Sequence, residues 1–261
     1  IHFLFIALIA KIALFYTIPA VMMASEKAYF MTPERYARLK DTLNRRQPDL
    51  TVVTDEVHKA HNLSAIIRTC DAFAVPKVHA IWPYDDYRTF RGKAKGSQQW
   101  VDVETYPTTE NAISQLQSQG FKVCVANFSE RAIDFRAYDF TQPTAIMMGN
   151  ELTGVTDVAA EMADEHLTIP MLGMVQSFNV SVAAALLLSE AERQRSLKGM
   201  FDKCQIPDDE YEHLLFKWSH PLYARICKDL GWEYPETDDE GELADPQEFS
   251  RRVNASGKRF R

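Results

Sequence analysis

The segment MGNELTG (148–154) follows a strand-like apolar run and sets an amide and a carboxylate, Asn150 and Glu151, between two glycines. Gly149 and Gly154 let the backbone turn tightly and come close to a ligand. An ordinary helix start, capped by Gly and Asn, would look the same. In IPMLGMVQSFNVS (169–181), apolar and small residues precede Ser177, Asn179 and Ser181. Ser or Asn before a long helix is again a common N-cap. A loop of Pro, Met and Gly is costly to order without a partner, however. Apolar walls and free backbone amides suit a ligand with an adenine ring and a thioether-like tail. The third segment, HNLSAIIR (61–68), places Asn62 and Arg68 six residues apart. That is under two helical turns, so the two need not share a face.

The elements that must hold these segments alternate. Residues 33–46 read as an amphipathic helix with Pro33 in its first turn. Leu50–Thr54 reads as a strand, 62–74 as a helix capped by Asn62, and Val78–Trp82 as a strand. Residues 84–100 are polar and loop-like. Val101–Thr105, Phe121–Ala126, Thr144–Met148 and Leu167–Ile169 are further strands, and 109–119 and 180–197 are helices. Segments 208–217, 220–230 and 245–254 look helical. Alternation of this kind predicts an α/β fold: a mostly parallel sheet covered on both faces, with flanking N- and C-terminal helices. Such sheets bind ligands at the carboxyl ends of their strands. No G-x-G-x-x-G turn is present, which speaks against a dinucleotide site of the usual kind. The expected divisions are an apolar extension over 1–30, a basic helical extension over 31–56, a main domain over 57–200, and a helical extension over 201–261.

A formal charge of −7 looks wrong for a nucleic-acid binder, but its distribution matters more than its sum. Residues 236–248 (ETDDEGELADPQE) hold seven acids and no Lys or Arg, and read as an acidic linker. Without them 29 acids face 29 Lys and Arg. Bases cluster at Arg35, Arg38, Lys40, Arg45 and Arg46, again at Arg193, Arg195 and Lys198, and in the tail GKRFR. Solvated helix faces and a nucleic-acid surface are both open readings. Four widely spaced cysteines form no C-x-x-C pair, so neither a metal site nor a disulfide framework is expected.

Residues 1–23 (IHFLFIALIAKIALFYTIPAVMM) are nearly all apolar and long enough to cross a bilayer as a helix. A membrane anchor or an export signal is therefore physically allowed. The favoured expectation is a start misplaced upstream of Met31, where a polar, helical text (MTPERYARLK) begins, and a cytoplasmic protein with no membrane association.

Together and in this order, the three segments resemble the motifs of the SPOUT superfamily of knotted methyltransferases. The flanks MTPERYARLKDTLNRRQPDLTVV, RTCDAFAV and VSVAAALLLSEAERQR are similar to the tRNA guanosine-18 2′-O-methyltransferase family, from Met31 to about residue 230. The resemblance implies a deep trefoil knot near 143–185, against the rule that chains are unknotted. It implies S-adenosylmethionine bound near Ala126, Gly149, Ile169, Met171 and Phe178, and a homodimer whose active sites draw on both subunits. At Phe178 the family commonly has Leu, and an apolar contact should tolerate the change. Arg68, Glu151, Ser177 and Asn179 would be the catalytic group, with Asn62 in a structural role. Arg38, Arg46, Arg193 and Arg195 would bind the phosphates of tRNA. The long helix from Val180 is expected at the dimer interface, because VAAALLL is too apolar for water.

Methyl transfer from a sulfonium to a ribose hydroxyl needs no metal, but the hydroxyl must lose its proton. The family assigns that step to the arginine that is Arg68 here. A neutral guanidine lies roughly 6 pK units out of reach at pH 7, about 8 kcal/mol. A charged Arg68 that binds phosphate and stabilises the developing alkoxide is the better reading. The alternatives are a knotted enzyme acting on ribosomal RNA or on another tRNA position, and an RNA-binding protein without catalysis.

Overall fold

Runs of β-branched and apolar residues too short for helices make the strands, and they are joined by segments with helical period. In a computed structural model, residues 31–57, 59–82, 99–150 and 153–257 are described. Two compact units emerge: Asp41–Tyr211, and, within the described residues, 31–40 with 212–257.

The larger unit holds a seven-stranded sheet. Its strands are β1 (Leu50–Thr54), β2 (Lys77–Ile81), β3 (Asp102–Tyr106), β4 (Lys122–Ala126), β5 (Ile133–Asp134), β6 (Thr144–Met148) and β7 (Glu165–Thr168). Their order is β3-β2-β1-β6-β4-β7-β5, and every pair is parallel. Helix α1 (Pro33–Asn44) precedes the sheet. Helices α2 (Ala60–Ala72), α3 (Thr109–Ser118), α4 (Asp157–Met162) and α5 (Val180–Leu197) alternate with the strands. β1 and β6 lie in the middle and are buried at every residue, which is why LTVVT and TAIMM are nearly continuous apolar runs rather than alternating ones.

Alternate side chains feed two cores. Val52, Cys124 and Ile146 pack with Leu63, Ile66 and Ile67 of α2 and with Ala184, Leu187 and Leu188 of α5. Val53, Val123, Val125 and Met147 pack with Ile113 and Leu116 of α3 and with Ala159 of α4. Each fully buried Ile or Leu contributes about 1.5–3 kcal/mol relative to exposure. The order reverses between β1 and β6, the place where an open parallel sheet leaves a crevice at its carboxyl edge.

Several boundaries differ from expectation. The larger unit begins at Asp41 rather than 57, because β1 is a central strand paired on both sides and cannot belong to an extension. Helix α2 starts at Ala60, its N-cap is Lys59, and Asn62 lies inside the helix, buried. Its amide is therefore not a cap. β5 and α4 are short elements without a periodic signal of their own.

The smaller unit contains α6 (Asp208–Ser219) from residue 212 on, α7 (Pro221–Leu230) and α8 (Pro246–Ala255). Here the acidic segment is a folded turn, not a linker. Thr237 bridges Leu243, whose side chain is buried with Ile226, Phe249 and Val253. Asp238 Oδ1 accepts from the amides of Glu240 and Glu242, and Asp245 caps α8 by accepting from Glu248 N at 2.8 Å. The acids serve local backbone donors, which composition does not reveal.

His79 on β2 carries a stability prediction. It is buried, and its Nδ1 lies 3.1 Å from the Tyr106 hydroxyl. Burial pushes its pKa down to about 4, against the pull of Glu104. The folded state keeps the ring neutral, while the unfolded chain protonates near 6.5. Stability from this group is thus complete above about pH 6.5 and falls as pH drops toward 4, by about 3 kcal/mol at most. His79→Gln should flatten that part of the curve in urea melts between about pH 7 and pH 4. An equally steep curve in the variant would assign the loss to other groups.

No helix among the described residues is long and apolar enough to cross a membrane. The apolar run over 1–23 and the polar stretch over 84–98 lie outside the described residues.

Candidate active site

The carboxyl edge of the sheet gathers the segments singled out in the sequence. MGNELTG follows β6, IPMLGMVQSFNVS follows β7, and Ala126 closes β4. Ala126 pairs with Leu167, and Asn127 N donates to Leu167 O at 3.1 Å, so the loops after β4 and β7 leave the sheet side by side. Ala126 and Ile169 are half-buried against the core, and Met171 is half-buried.

Gly149 is a steric necessity. A Cβ there would overlap the backbone of Gly154 and Val155. The close approach is fixed by a bridge in which Asn150 N donates to Gly154 O at 2.8 Å and Gly154 N to Asn150 O at 2.9 Å. Gly154 itself has φ 75°, the left-handed conformation that favours glycine. Glu151 falls outside the described residues.

Asn62 and Asn179, 117 residues apart, meet directly. Asn179 Nδ2 donates to Asn62 Oδ1 at 3.2 Å, while Asn179 Oδ1 accepts from Ser181 N at 3.0 Å and caps α5. Among the described residues, the buried Nδ2 of Asn62 has no partner. An orphaned buried donor is rare and costs about 1–3 kcal/mol unless a ligand or water takes it. The loop before Asn179 is open to solvent. Leu172 and Met174 are fully exposed, Val175 is exposed, and Ser177 and Phe178 are exposed as well. A run of exposed apolar side chains beside an unsatisfied amide is the character of a surface that something covers.

Arg68 stands apart from this group. It lies on the exposed face of α2, whereas Asn62, Leu63, Ile66, Ile67 and Cys70 face inward, and among the described residues it makes no ion pair. No hydrogen bond joins it to Asn179 among the described residues. A structural ion pair, the simplest alternative for an arginine on an apolar helix, is absent from the described residues.

The basic clusters resolve into two kinds. Arg38 and Arg193 are exposed, and Arg193 pairs with Glu190 at 2.6 Å. Arg46 and Arg195 are fully buried, which overturns their expected place on an RNA surface. Arg46 holds Asp71 at 2.6 Å and the carbonyl oxygens of Val75 and Trp100. Arg195 donates to Asp49, to Gln47 Oε1 at 3.0 Å and to Phe140 O at 2.9 Å. Guanidinium suits such work because five donors leave a fork in fixed directions. Arg195→Ala should therefore lower stability by about 3 kcal/mol, since it takes the cation from the Asp49 carboxylate and a donor from the carbonyl oxygens of Phe140, Asp49 and Gln142. The readout is the urea midpoint. The salt dependence of RNA binding should keep its slope, and a normal midpoint with a flattened slope would return Arg195 to the RNA surface.

Sequence reasoning missed Asp55. It is fully buried just past β1, where its carboxylate accepts from Thr109 Oγ1 at 2.8 Å and Thr156 N at 2.7 Å. The available signal was an acid directly after a buried strand, at the edge where ligands bind.

Comparison with known proteins agrees with this fold. Residues 49–189 match the model of the SpoU rRNA Methylase family, and residues 193–246 that of the SpoU rRNA methylase C-terminal region. A tRNA (guanosine(18)-2′-O)-methyltransferase of Escherichia coli is 46% identical over 229 residues, 87% of this chain and 100% of that protein. The protein of the same description from Thermus thermophilus is 46% identical over 72% of this chain and 96% of its own. The crystal structure of the A. aeolicus TrmH/SpoU tRNA modifying enzyme superposes with a TM-score of 0.66 at 37% identity, covering 72% of this chain and 96% of that one. The AdoMet-bound rRNA methyltransferase of Sinorhizobium meliloti gives 0.51 at 27% identity, covering 59% of each.

Proposed function

The chain belongs to the SpoU rRNA methylase family, and on that premise we propose that it methylates the ribose 2′-hydroxyl of guanosine-18 in tRNA, using S-adenosylmethionine. The observation that carries the substrate is the 46% identity to a guanosine-18 enzyme along that protein's whole length. The residues at the carboxyl edge fit the cofactor. Gly149 lets the loop after β6 close on the backbone of Gly154 and Val155, the buried Nδ2 of Asn62 has no partner among the described residues, and Ile169 and Met171 are half-buried apolar side chains.

S-adenosylmethionine supplies an electrophilic methyl group on a sulfonium. In this reading the loops beginning at Ala126, Gly149 and Ile169 hold it, Phe178 adds apolar contact, and Asn62 orients Asn179. Ser177 and Asn179 position the ribose through hydrogen bonds. Arg68 remains charged, binds the nucleotide's phosphate and stabilises the alkoxide as the hydroxyl proton leaves. Glu151 orients Arg68 through a bidentate pair. Arg38 and Arg193 bind tRNA phosphates.

The same reading makes the protein a cytoplasmic homodimer with a knotted segment near 143–185, each site completed by the other subunit's Arg68. Its support is the solitary, outward Arg68 together with exposed Leu172, Met174, Val182 and Leu186. The apolar run VAAALLL contributes less than its composition suggests, because Ala184, Leu187 and Leu188 face the chain's own core. Sedimentation should give a dimer at micromolar concentration, and a stable monomer would remove the composite site.

Transfer of a tritiated methyl group from S-adenosylmethionine to bulk tRNA, followed by mapping of the labelled nucleotide, tests the activity. Label at guanosine-18 is expected. Label only in ribosomal RNA or at another position would overturn the substrate, and no transfer to any RNA would overturn the enzyme.

A further inference from the structure

The loop between β6 and α4 is held from outside by a residue that belongs to none of the three motif segments. Asp55 N donates to Met148 O at 2.8 Å, extending the β1–β6 ladder one residue past the end of β1. Its carboxylate then spans two helix starts. Thr109 opens α3 and gives its hydroxyl, while Thr156 caps α4 and gives its backbone N–H. Next to it, Glu56 adopts φ 54°, and its carbonyl accepts from Asn150 Nδ2 at 3.1 Å. A left-handed non-glycine residue costs about 1–2 kcal/mol. A fully buried carboxylate costs several more unless hydrogen bonds compensate it. An apolar residue at the end of β1 would serve the core without these costs. What the arrangement gains is a clamp: Thr156 fixes the far end of the loop, Asn150 the near end, and the Asn150–Gly154 bridge the middle.

We propose that Asp55 is a positioning residue, holding Gly149, Asn150 and residues 154–156 in the shape that receives the cofactor. The inference rests on the reading that Gly149 borders the S-adenosylmethionine site. It adds a residue that touches no substrate and acts through the loop.

The test compares Asp55→Ala with Asp55→Asn in the full-length protein. The asparagine can turn its oxygen to Thr156 N–H and donate its amide to the Thr109 hydroxyl, which accepts as readily as it donates. It should therefore rescue the alanine variant. For Asp55→Ala, loss of charge-assisted bonds predicts S-adenosylmethionine binding weakened by about 10-fold or more. Amide exchange should accelerate over 149–157 while β1 and β6 stay protected, and KM for tRNA should hold within about twofold. Asp55→Asn should bind within about threefold of the unaltered protein. If Asp55→Ala does not fold, Thr109→Val removes one of the two bonds and should show the same local exchange with a smaller loss of affinity. Unchanged affinity and exchange in the folded variant would overturn the proposal, as would acceleration spread over the whole sheet. Should the unaltered protein bind no S-adenosylmethionine while exchange over 149–157 still responds to Asp55→Ala, the clamp is upheld and the cofactor reading is what fails.

Discussion

Arg68→Lys is expected to lower single-turnover methyl transfer by about two orders of magnitude or more, the size seen when one oxyanion-type donor is removed. Lysine keeps the charge and loses the planar fork that can hold a phosphate and a carboxylate together. The position of Arg68 sharpens the expectation. It is exposed on α2 and has no ion pair among the described residues, so its loss should barely move the melting temperature. Cofactor affinity should also stay within error, since the guanidinium acts on the ribose side. Melting temperature, calorimetric affinity and single-turnover rate on one sample separate these effects. A near-normal rate would end the catalytic assignment. A normal rate per site with a large drop in dimer stability would make Arg68 an interface residue instead.

Gly149→Val should reduce S-adenosylmethionine affinity by about 100-fold or more, equivalent to losing roughly 3 kcal/mol. The added side chain has no space, because its first carbon already overlaps the backbone of Gly154 and Val155. To admit it, the loop must open, and both hydrogen bonds of the Asn150–Gly154 bridge go with it. Gly149→Ala meets the same obstacle and should be nearly as damaging. The sheet should survive, since Gly149 lies beyond the last residue of β6. Gly154→Ala is the control. Among the described residues, no atom beyond its chain neighbours lies within 4 Å of a Cβ there, so the left-handed φ of 75° is the strain that remains, at about 1–2 kcal/mol. Calorimetry on all three variants, with circular dichroism to verify the fold, gives the comparison. Equal affinities for Gly149→Val and the unaltered protein would move the cofactor away from this loop.

Much of this site was legible from short stretches of sequence. TAIMM and VSVAAALLLSEAERQRSL form β6 and α5 at the expected residues, because burial on both faces and helical periodicity are properties of neighbours within a few positions. Of the three segments with unusual amides and glycines, MGNELTG and IPMLGMVQSFNVS do follow strands, and HNLSAIIR meets the second of these through Asn62 and Asn179. The resemblance to knotted methyltransferases could be read from those same residues. Their exposure could not. Arg193 and Arg195 are near neighbours in one basic cluster, yet one faces solvent and the other is sealed against Asp49, 146 residues away. Arg46 and Arg38 divide in the same way.

The ion's fate depends on whether the sheet order delivers an acid and several carbonyls to its fork, and that order is set by long-range pairing of strands. The same reason hid Asp55, whose donors come from α3 and from the loop after β6. It also turned the acid-rich 236–248 from a linker into a folded turn around Leu243. Local sequence determined which elements form and which loops leave the carboxyl ends of β6 and β7. Tertiary structure decided which charges are worked into the interior, because the desolvation of an ion is offset only by partners that folding brings from elsewhere in the chain.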